Sequence, residues 1–324
     1  MNKILITGAT GFIGSHLTEL CVEKGYEVVA FDRYNPNYNL GWLEKSKYKK
    51  DINFIFGDIR DYDSVFKSVK GCKKIFHLAA LIGIPYSYFS PLAYIKTNVE
   101  GTFNVLEASK NFEVDEVIIT STSETYGTAE YIPMDEKHPL SAQSPYSASK
   151  ISADHLAFSY WNSFKLPLKI IRPFNTYGPR QSSRAVIPTI IIQAMSGKKE
   201  IKLGNINPTR DYTYVGDTCK AYLEISKSKD FFGKVVNVGS NNEHKIEDVA
   251  KNIISKINPE AKIFSDKNRE RPESSEVNRL VCDNKLILNN TNWKPSVSFD
   301  KGLDLTIDWF KNSKNLFTHD IYHI

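Results

Sequence analysis

Six short runs of this chain, KILITG, EVVAFD, INFIFGD, KIFHLAA, EVIITST and LKIIRP, are apolar almost without a break and rich in Ile and Val. A strand with one face in water alternates apolar and polar residues, so unbroken apolarity implies strands covered on both faces. Between them stand SHLTELCVEKG, DSVFKSVKG, TNVEGTFNVLEASKN and YSASKISADHLAFSYWNSF, which pattern as helices. Strand and helix alternating at this spacing predict an α/β fold, a doubly wound Rossmann-type parallel sheet.

The rhythm spans residues 1–171 and then decays. Beyond Ile171, Pro, Gly and Asn become frequent, and RQSSRAVIPTIIIQAMSGKK and NPTRDYTYVGD lack a βα alternation. This predicts a smaller, mixed α/β substrate-binding lobe over 172–209 and 239–316. The first domain is expected to be completed by about 210–238, with VVNVGS a strand near the junction, and 317–324 to form a tail.

At 324 residues the chain can bury a large core. A formal charge of +5 is mildly basic, and no dense Lys/Arg block suggests a nucleic-acid tract; KYKKD reads as a solvated turn. Cys21, Cys72, Cys219 and Cys282 lie far apart, without CxxC or His at ligand spacing, which predicts reduced thiols and no metal. No run approaches the roughly 18 apolar residues of a membrane span. The start MNKILITG breaks at Gly8 and Gly11 without a cleavage site. The expectation is a cytoplasmic protein with neither membrane nor nucleic-acid partner.

ILITGATGFIGSHL sets Gly8, Gly11 and Gly14 between the first strand and the first helix. Glycine is needed where backbone turns tightly toward a pyrophosphate, and the helix amino end supplies N–H donors. Asp32 ends the next strand, where a carboxylate accepts from an adenosine ribose and repels a 2′-phosphate. NAD is therefore expected over NADP, although Arg33 could meet a phosphate. Asp58, in FGDIRD, ends a third strand within reach of an adenine amino group, and Leu78, Ala79 and Ala80 offer small residues beside a flat cofactor. His77 reads as a core histidine.

In SPYSASK, Ser144 and Pro145 form a helix start, which puts Tyr146 and Lys150 one turn apart on one face. An ammonium and a bound nicotinamide cation would favour the phenolate, making Tyr146 a base. STSETYG, Ser121 to Gly127, is either a polar strand end or an acid–base site.

TGATGFIGSHL, HLAA, TNVEGT, STSETYG, PYSASK, RPFNTYGPR, TRDYTYVGD and VNVGS together resemble the extended short-chain dehydrogenase/reductase family, in particular its nucleotide-sugar epimerases, dehydratases and decarboxylases. The resemblance implies a catalytic triad of Thr122, Tyr146 and Lys150. It implies cofactor contacts from Phe12, Ile13, Ile59, Asn98 and Pro173 as well as the glycines, and a tightly held NAD recycled within each turnover. The substrate implied is a nucleotide-diphosphate sugar. Arg210 and Arg271 match its diphosphate clamp, Asn175 matches the sugar–phosphate junction, and Arg180 and Arg184 are further candidate contacts. Val186 and Leu203 lie in the segments expected to read the base. A homodimer through the helices of TNVEGT and PYSASK is implied, with Phe103, Leu106, Leu156 and Phe158 as apolar positions.

After the Thr, 4,6-dehydratases usually carry Asp-Glu and 4-epimerases small or apolar residues; this chain has Ser123 and Glu124. Glu124 matches the dehydratase base, Ser123 departs from its acid, and UDP-glucuronate decarboxylases share Ser-Glu. The wider wording resembles the dehydratases of legionaminic acid biosynthesis, which act on nucleotide-linked N-acetylglucosamine. A 4,6-dehydratase on GDP-N-acetylglucosamine, favoured over the UDP form, is thus the expected activity. UDP-glucuronate decarboxylase and 4-epimerase are the alternatives, and a non-catalytic NAD-sensing regulator is a remote one.

Overall fold

The computed structural model describes residues 3–313 and 316–317. In chain order the first half contains β1 (Lys3–Thr7), α1 (Phe12–Glu23), β2 (Glu27–Arg33), β3 (Ile52–Gly57), α2 (Tyr62–Val69), β4 (Lys74–His77), α3 (Ile84–Phe89), α4 (Pro91–Tyr94), α5 (Gly101–Asn111), β5 (Glu116–Thr120), α6 (Pro145–Phe164) and β6 (Leu168–Pro173). The second contains β7 (Asn175–Tyr177), α7 (Val186–Met195), β8 (Glu200–Leu203), β9 (Thr209–Tyr214), α8 (Val215–Lys227), β10 (Val235–Val238), β11 (Glu243–Lys245), α9 (Ile246–Ile257), β12 (Lys262–Ser265), α10 (Lys285–Asn290) and α11 (Phe299–Asn312).

Seven strands form one parallel sheet in the order β10-β6-β5-β4-β1-β2-β3. The strands' unbroken apolarity divides between the two faces. Ile4, Ile6, Val28, Ala30, Phe76 and Ile118 point to a core that includes Leu17 and Cys21 of α1 and Tyr222 and Ile225 of α8. Leu5, Val29, Ile75, Val117 and Ile119 point to the opposite core, with Val65 of α2, Val105 and Leu106 of α5 and Ala157 of α6. Each such side chain, fully buried, contributes about 1.5–3 kcal/mol before the entropy cost. A one-residue slip would exchange the two sets.

The strand order reverses between β4 and β1, so a crevice opens there at the strands' carboxyl ends, where ligands bind in such sheets. The second lobe holds a three-stranded sheet, β11-β9-β7, and the β12-β8 pair. Helices α7, α9 and α11 pack there around Ile190, Ile191, Ile253, Leu303 and Phe310. The return to the large sheet begins later than the expected 210. Thr209–Tyr214 pairs with β7 and β11, and only from Val215 do α8 and β10 rejoin the first domain. Within the expected tail, Phe317 packs on Phe310 and Trp309, with ring centroids 4.8 and 6.0 Å away, and 318–324 lie outside the described residues. Among the described residues no helix is long and apolar enough to cross a membrane, and no cluster of three metal-ligating side chains occurs.

Candidate active site

The turn after β1 is built by close approach. Gly8 has φ +70°, and a Cβ on it would lie 2.9 Å from the Ala79 backbone. A Cβ on Gly14 would lie 2.0 Å from the Gly8 carbonyl oxygen, so α1 can sit this near the strand only with glycine there. Gly11 caps α1 without any side-chain hydrogen bond, which leaves first-turn N–H groups for an anion; Phe12 and Ile13 begin that turn. Asp32 accepts from the Thr10 N–H (2.8 Å) and hydroxyl (2.6 Å) and from the Arg33 N–H (2.7 Å). Asp58 is engaged by Arg60, at 2.9 and 2.5 Å, which holds its carboxyl below the usual range. Ile59 is buried against Gly101, and Pro173 pairs with Val238 at the end of β6. Small residues, a bare helix end and a carboxylate on β2 fit NAD.

Behind this cradle runs a chain of hydrogen bonds. The Thr102 hydroxyl donates to the Asn98 carbonyl (2.6 Å), so toward His77 it can only accept, from Nε2–H (3.1 Å). His77 Nδ1 then accepts from the Thr7 hydroxyl (2.7 Å), whose oxygen takes the N–H groups of Leu78 and Ala79, each at 3.2 Å. Burial lowers the imidazole's pKa to about 3, so His77 is a neutral core residue. Asn98 bonds both the Leu81 N–H (2.8 Å) and carbonyl (2.9 Å) and reaches Ser149 on α6 (2.9 Å). It fixes the loop after β4 against the Tyr–Lys helix.

The five hydroxyls of STSETYG separate by role. Thr125 donates to the Thr122 carbonyl (2.8 Å), Tyr126 to Asn237 (2.8 Å) and Ser121 to Asp154 (2.7 Å), all within the protein. Thr122 caps a short 3-10 turn, accepting from the Glu124 N–H at 3.2 Å, and its side chain acts to lower the Tyr146 pKa. Ser123 is buried in that turn. Helix α6 starts with a Ser144–Ser147 capping box and Pro145 in the first turn, which sets Tyr146 and Lys150 toward β5. Lys150 Nζ donates to the Thr120 carbonyl (2.6 Å), and burial lowers its pKa against the pull of Asp154.

Tyr146 sits deep in the site. It is 7% exposed, and burial pushes the phenol well above its usual range; the Thr122 hydrogen bond acts downward, and Glu124 and Tyr94 act upward. The protein's own groups therefore keep Tyr146 protonated, and Lys150 is engaged with backbone instead.

Glu124 faces Arg271, with Nη1 to Oε2 4.0 Å, and the same Nη1 is 3.9 Å from Glu276 Oε1. Nη1 is buried without a hydrogen-bond partner. Arg210 is 4% exposed and donates to the Thr209 carbonyl (2.9 Å) and to Glu276 (3.5 Å). Asn175 Oδ1 is likewise buried without a partner. Arg180 is turned away from this group: it pairs with Glu19 (2.9 Å) and Ser15 (3.1 Å) on α1, fastening that helix to the second lobe. Arg184 is exposed beside Gly83, and its Nε donates to the Ser182 hydroxyl (3.3 Å). Val186 opens α7, and Leu203 ends β8 within the second lobe's core. Sequence reasoning missed Glu276, which lies between the two arginines, and the buried pair of Asp154 with Arg172 (2.8 Å). Only their spacing from known motifs, four residues after Lys150 and five after Arg271, could have hinted at them.

This crevice, with its glycine turn and Tyr–Lys helix, is that of an extended short-chain dehydrogenase/reductase acting on nucleotide sugars. The chain belongs to the GDP-mannose 4,6 dehydratase family, whose model matches residues 5–306. It is 30% identical over 321 residues to human dTDP-D-glucose 4,6-dehydratase, covering 96% of this chain and 90% of that protein. It is 33% identical over 319 residues to a trifunctional UDP-glucose 4,6-dehydratase of Arabidopsis thaliana, covering 95% of this chain and 47% of that one. Among solved structures, the dTDP-glucose 4,6-dehydratase of Streptomyces venezuelae with NAD bound superposes with a TM-score of 0.88 at 25% identity, over 97% and 98% of the two chains. UDP-glucose 4-epimerase of Thermotoga maritima gives 0.87 at 26% identity, over 96% and 99%. The cofactor is NAD.

Proposed function

We propose that this chain is a 4,6-dehydratase of a nucleotide-linked N-acetylglucosamine, GDP favoured over UDP, serving legionaminic-type or related deoxysugar synthesis. One observation carries the dehydratase reading: a single turn after β5 presents both Thr122, beside Tyr146, and Glu124, facing Arg271. A carboxylate beside the Tyr–Lys pair is what dehydration needs and epimerisation does not. The amino sugar and the base rest on the resemblance of the STSETYG-to-PYSASK stretch, with RPFNTYGPRQSSRAVIPTIIIQAMSG and NPTRDYTYVGDT.

NAD, when bound, accepts hydride from sugar C4 and returns it to C6. With the nicotinamide cation bound, which would favour the phenolate, Tyr146 takes the C4 hydroxyl proton, and Lys150 is held by Thr120 below it. The C4 ketone acidifies the C5 proton, and Glu124 removes it. Arg271, 4.0 Å from that carboxylate, joins Arg210 in clamping the diphosphate. The C6 hydroxyl leaves as water, protonated by Glu124 once it carries the C5 proton or by a water held at Ser123, and as hydride is added at C6 a solvent proton, delivered at Glu124, is added at C5. A serine hydroxyl is itself too weak an acid for that step.

A second reading has its own support. A UDP-glucuronate decarboxylase needs a cation for the substrate carboxylate, and Arg271 Nη1 is a buried cation donor lacking a hydrogen bond beside Glu124. We also propose a homodimer: Leu92, Ile95 and Phe103 leave apolar surface along α4 and α5, while Leu106 is spent in the core and Leu156 and Phe158 are half-buried against it. Incubating the purified protein, without added cofactor, with GDP- and UDP-N-acetylglucosamine and with UDP-glucuronate separates the readings by mass. Loss of one water from an N-acetylglucosamine nucleotide is expected; loss of carbon dioxide from the glucuronate would overturn the proposal.

A further inference from the structure

Two consecutive residues at the end of β5 are bonded to successive turns of α6, and the next faces the turn before them. The Thr120 carbonyl takes Lys150 Nζ (2.6 Å) and the Ser121 hydroxyl donates to Asp154 Oδ2 (2.7 Å), while Thr122 acts to lower the Tyr146 pKa. Tyr146, Lys150 and Asp154 recur every fourth residue, so all three lie on one helix face. Asp154 is fully buried. Its Oδ2 also accepts from Arg172 Nη2 (2.8 Å) and Nε (3.2 Å), while Oδ1 is buried without a hydrogen-bond partner. The Arg172 guanidinium in turn lies 4.8 Å over the Tyr126 ring, and Tyr126 follows Glu124 by two residues in the same turn.

We propose that Asp154 is a positioning residue for the Tyr146 reaction: through Ser121 it fixes the Thr122 turn against α6, and its charge offsets Arg172 beneath Tyr146 and Lys150. The inference rests on Tyr146 being the base. The other charged or titratable groups facing this ladder are His77 from β4, Glu124 from the 3-10 turn, Tyr94 from α4, Tyr222 from α8 and Arg172 from β6. His77 and Tyr222 are buried and neutral at working pH, burial lowering the first and raising the second. The charges that count are thus Lys150, Glu124, Arg172 and Asp154.

Neutralising Asp154 leaves Arg172 as an unopposed buried cation, which favours the phenolate. Tyr146 and Asp154 are two turns apart, about 12 Å along the helix axis. At an effective dielectric near 20, a unit charge at that range moves a titration by roughly one pH unit. The test is a phenolate-absorbance titration of the NAD-loaded protein, with the corresponding Tyr146→Phe protein subtracted. It needs no substrate, so it can fail or succeed independently of the dehydratase reading. In Asp154→Asn the Tyr146 phenolate should appear roughly one pH unit lower than in the parent. In Asp154→Asn/Arg172→Gln, which removes both charges, it should return close to the parent value. An unmoved titration in Asp154→Asn would overturn the charge role.

Ser121→Ala tests the tether without touching the charge. Turnover should fall roughly tenfold, as expected when a positioning hydrogen bond worth 1.4 kcal/mol is lost, with the titration unmoved. Parent-like turnover in Ser121→Ala would overturn the tether.

Discussion

His77 makes acid stability depend on the scaffold behind the cofactor cradle. Its Nδ1 accepts from Thr7 and its Nε2–H donates to Thr102, so the neutral ring is fully bonded and a second proton has no acceptor. Burial lowers its pKa from 6.5 to about 3. A group whose folded pKa is depressed binds its proton in the unfolded chain first, so stability is whole above pH 6.5 and is lost as pH falls toward 3. At pH 5 the unfolded chain has already gained about 1.5 decades of proton binding that the folded one has not, a loss of about 2 kcal/mol relative to pH 7.5. His16, whose pKa burial lowers to about 4, adds a similar term, so the comparison must isolate one histidine. Urea unfolding at pH 7.5 and 5.0, with NAD in fixed excess, gives it. Between these pH values wild type should lose about 2 kcal/mol more than His77→Gln, whose side chain can bond the same neighbours without titrating. Equal losses in the two proteins would refute the reasoning.

Tyr146→Phe should keep its ring among Ile84, Tyr94 and Leu81, retain NAD, and turn over about 10²- to 10⁴-fold more slowly; near-normal rates by the mass assay would remove it as the base. Glu124→Gln should abolish deuterium uptake at C5 from heavy water while still permitting C4 oxidation, and unchanged uptake would take Glu124 out of the role. Gly14→Ala should release NAD on purification, because its Cβ would meet the Gly8 carbonyl at 2.0 Å; a protein retaining stoichiometric NAD would contradict that packing argument.

The parts of this site that a sequence displays are those set by local rules. The Gly8–Gly14 turn is demanded by a close approach within seven residues, and Tyr146 and Lys150 share a face because a helix repeats every 3.6 residues. The two-faced sheet is likewise legible, since unbroken Ile and Val runs leave few alternatives. What was not legible depends on contacts distant along the chain. Glu276 meets Arg210 across 66 residues, and Ser121 meets Asp154 across 33, so neither pairing has a spacing to read. Arg180 shows the converse: its motif suggested a ligand, but a positive φ of 70° and Glu19, on a helix 161 positions earlier, draw it to α1. A motif names neighbours along the chain and not burial, which is the largest influence on the Tyr146 phenol.

The most direct test of the account follows the hydride. GDP-N-acetylglucosamine carrying deuterium at C4 is converted by the purified protein with no added NAD, and the product is read by mass and NMR. The account predicts loss of one water with the deuterium retained at C6 of the same molecule. Deuterium returned to C4 without loss of water, or lost to solvent or to free cofactor, would contradict it.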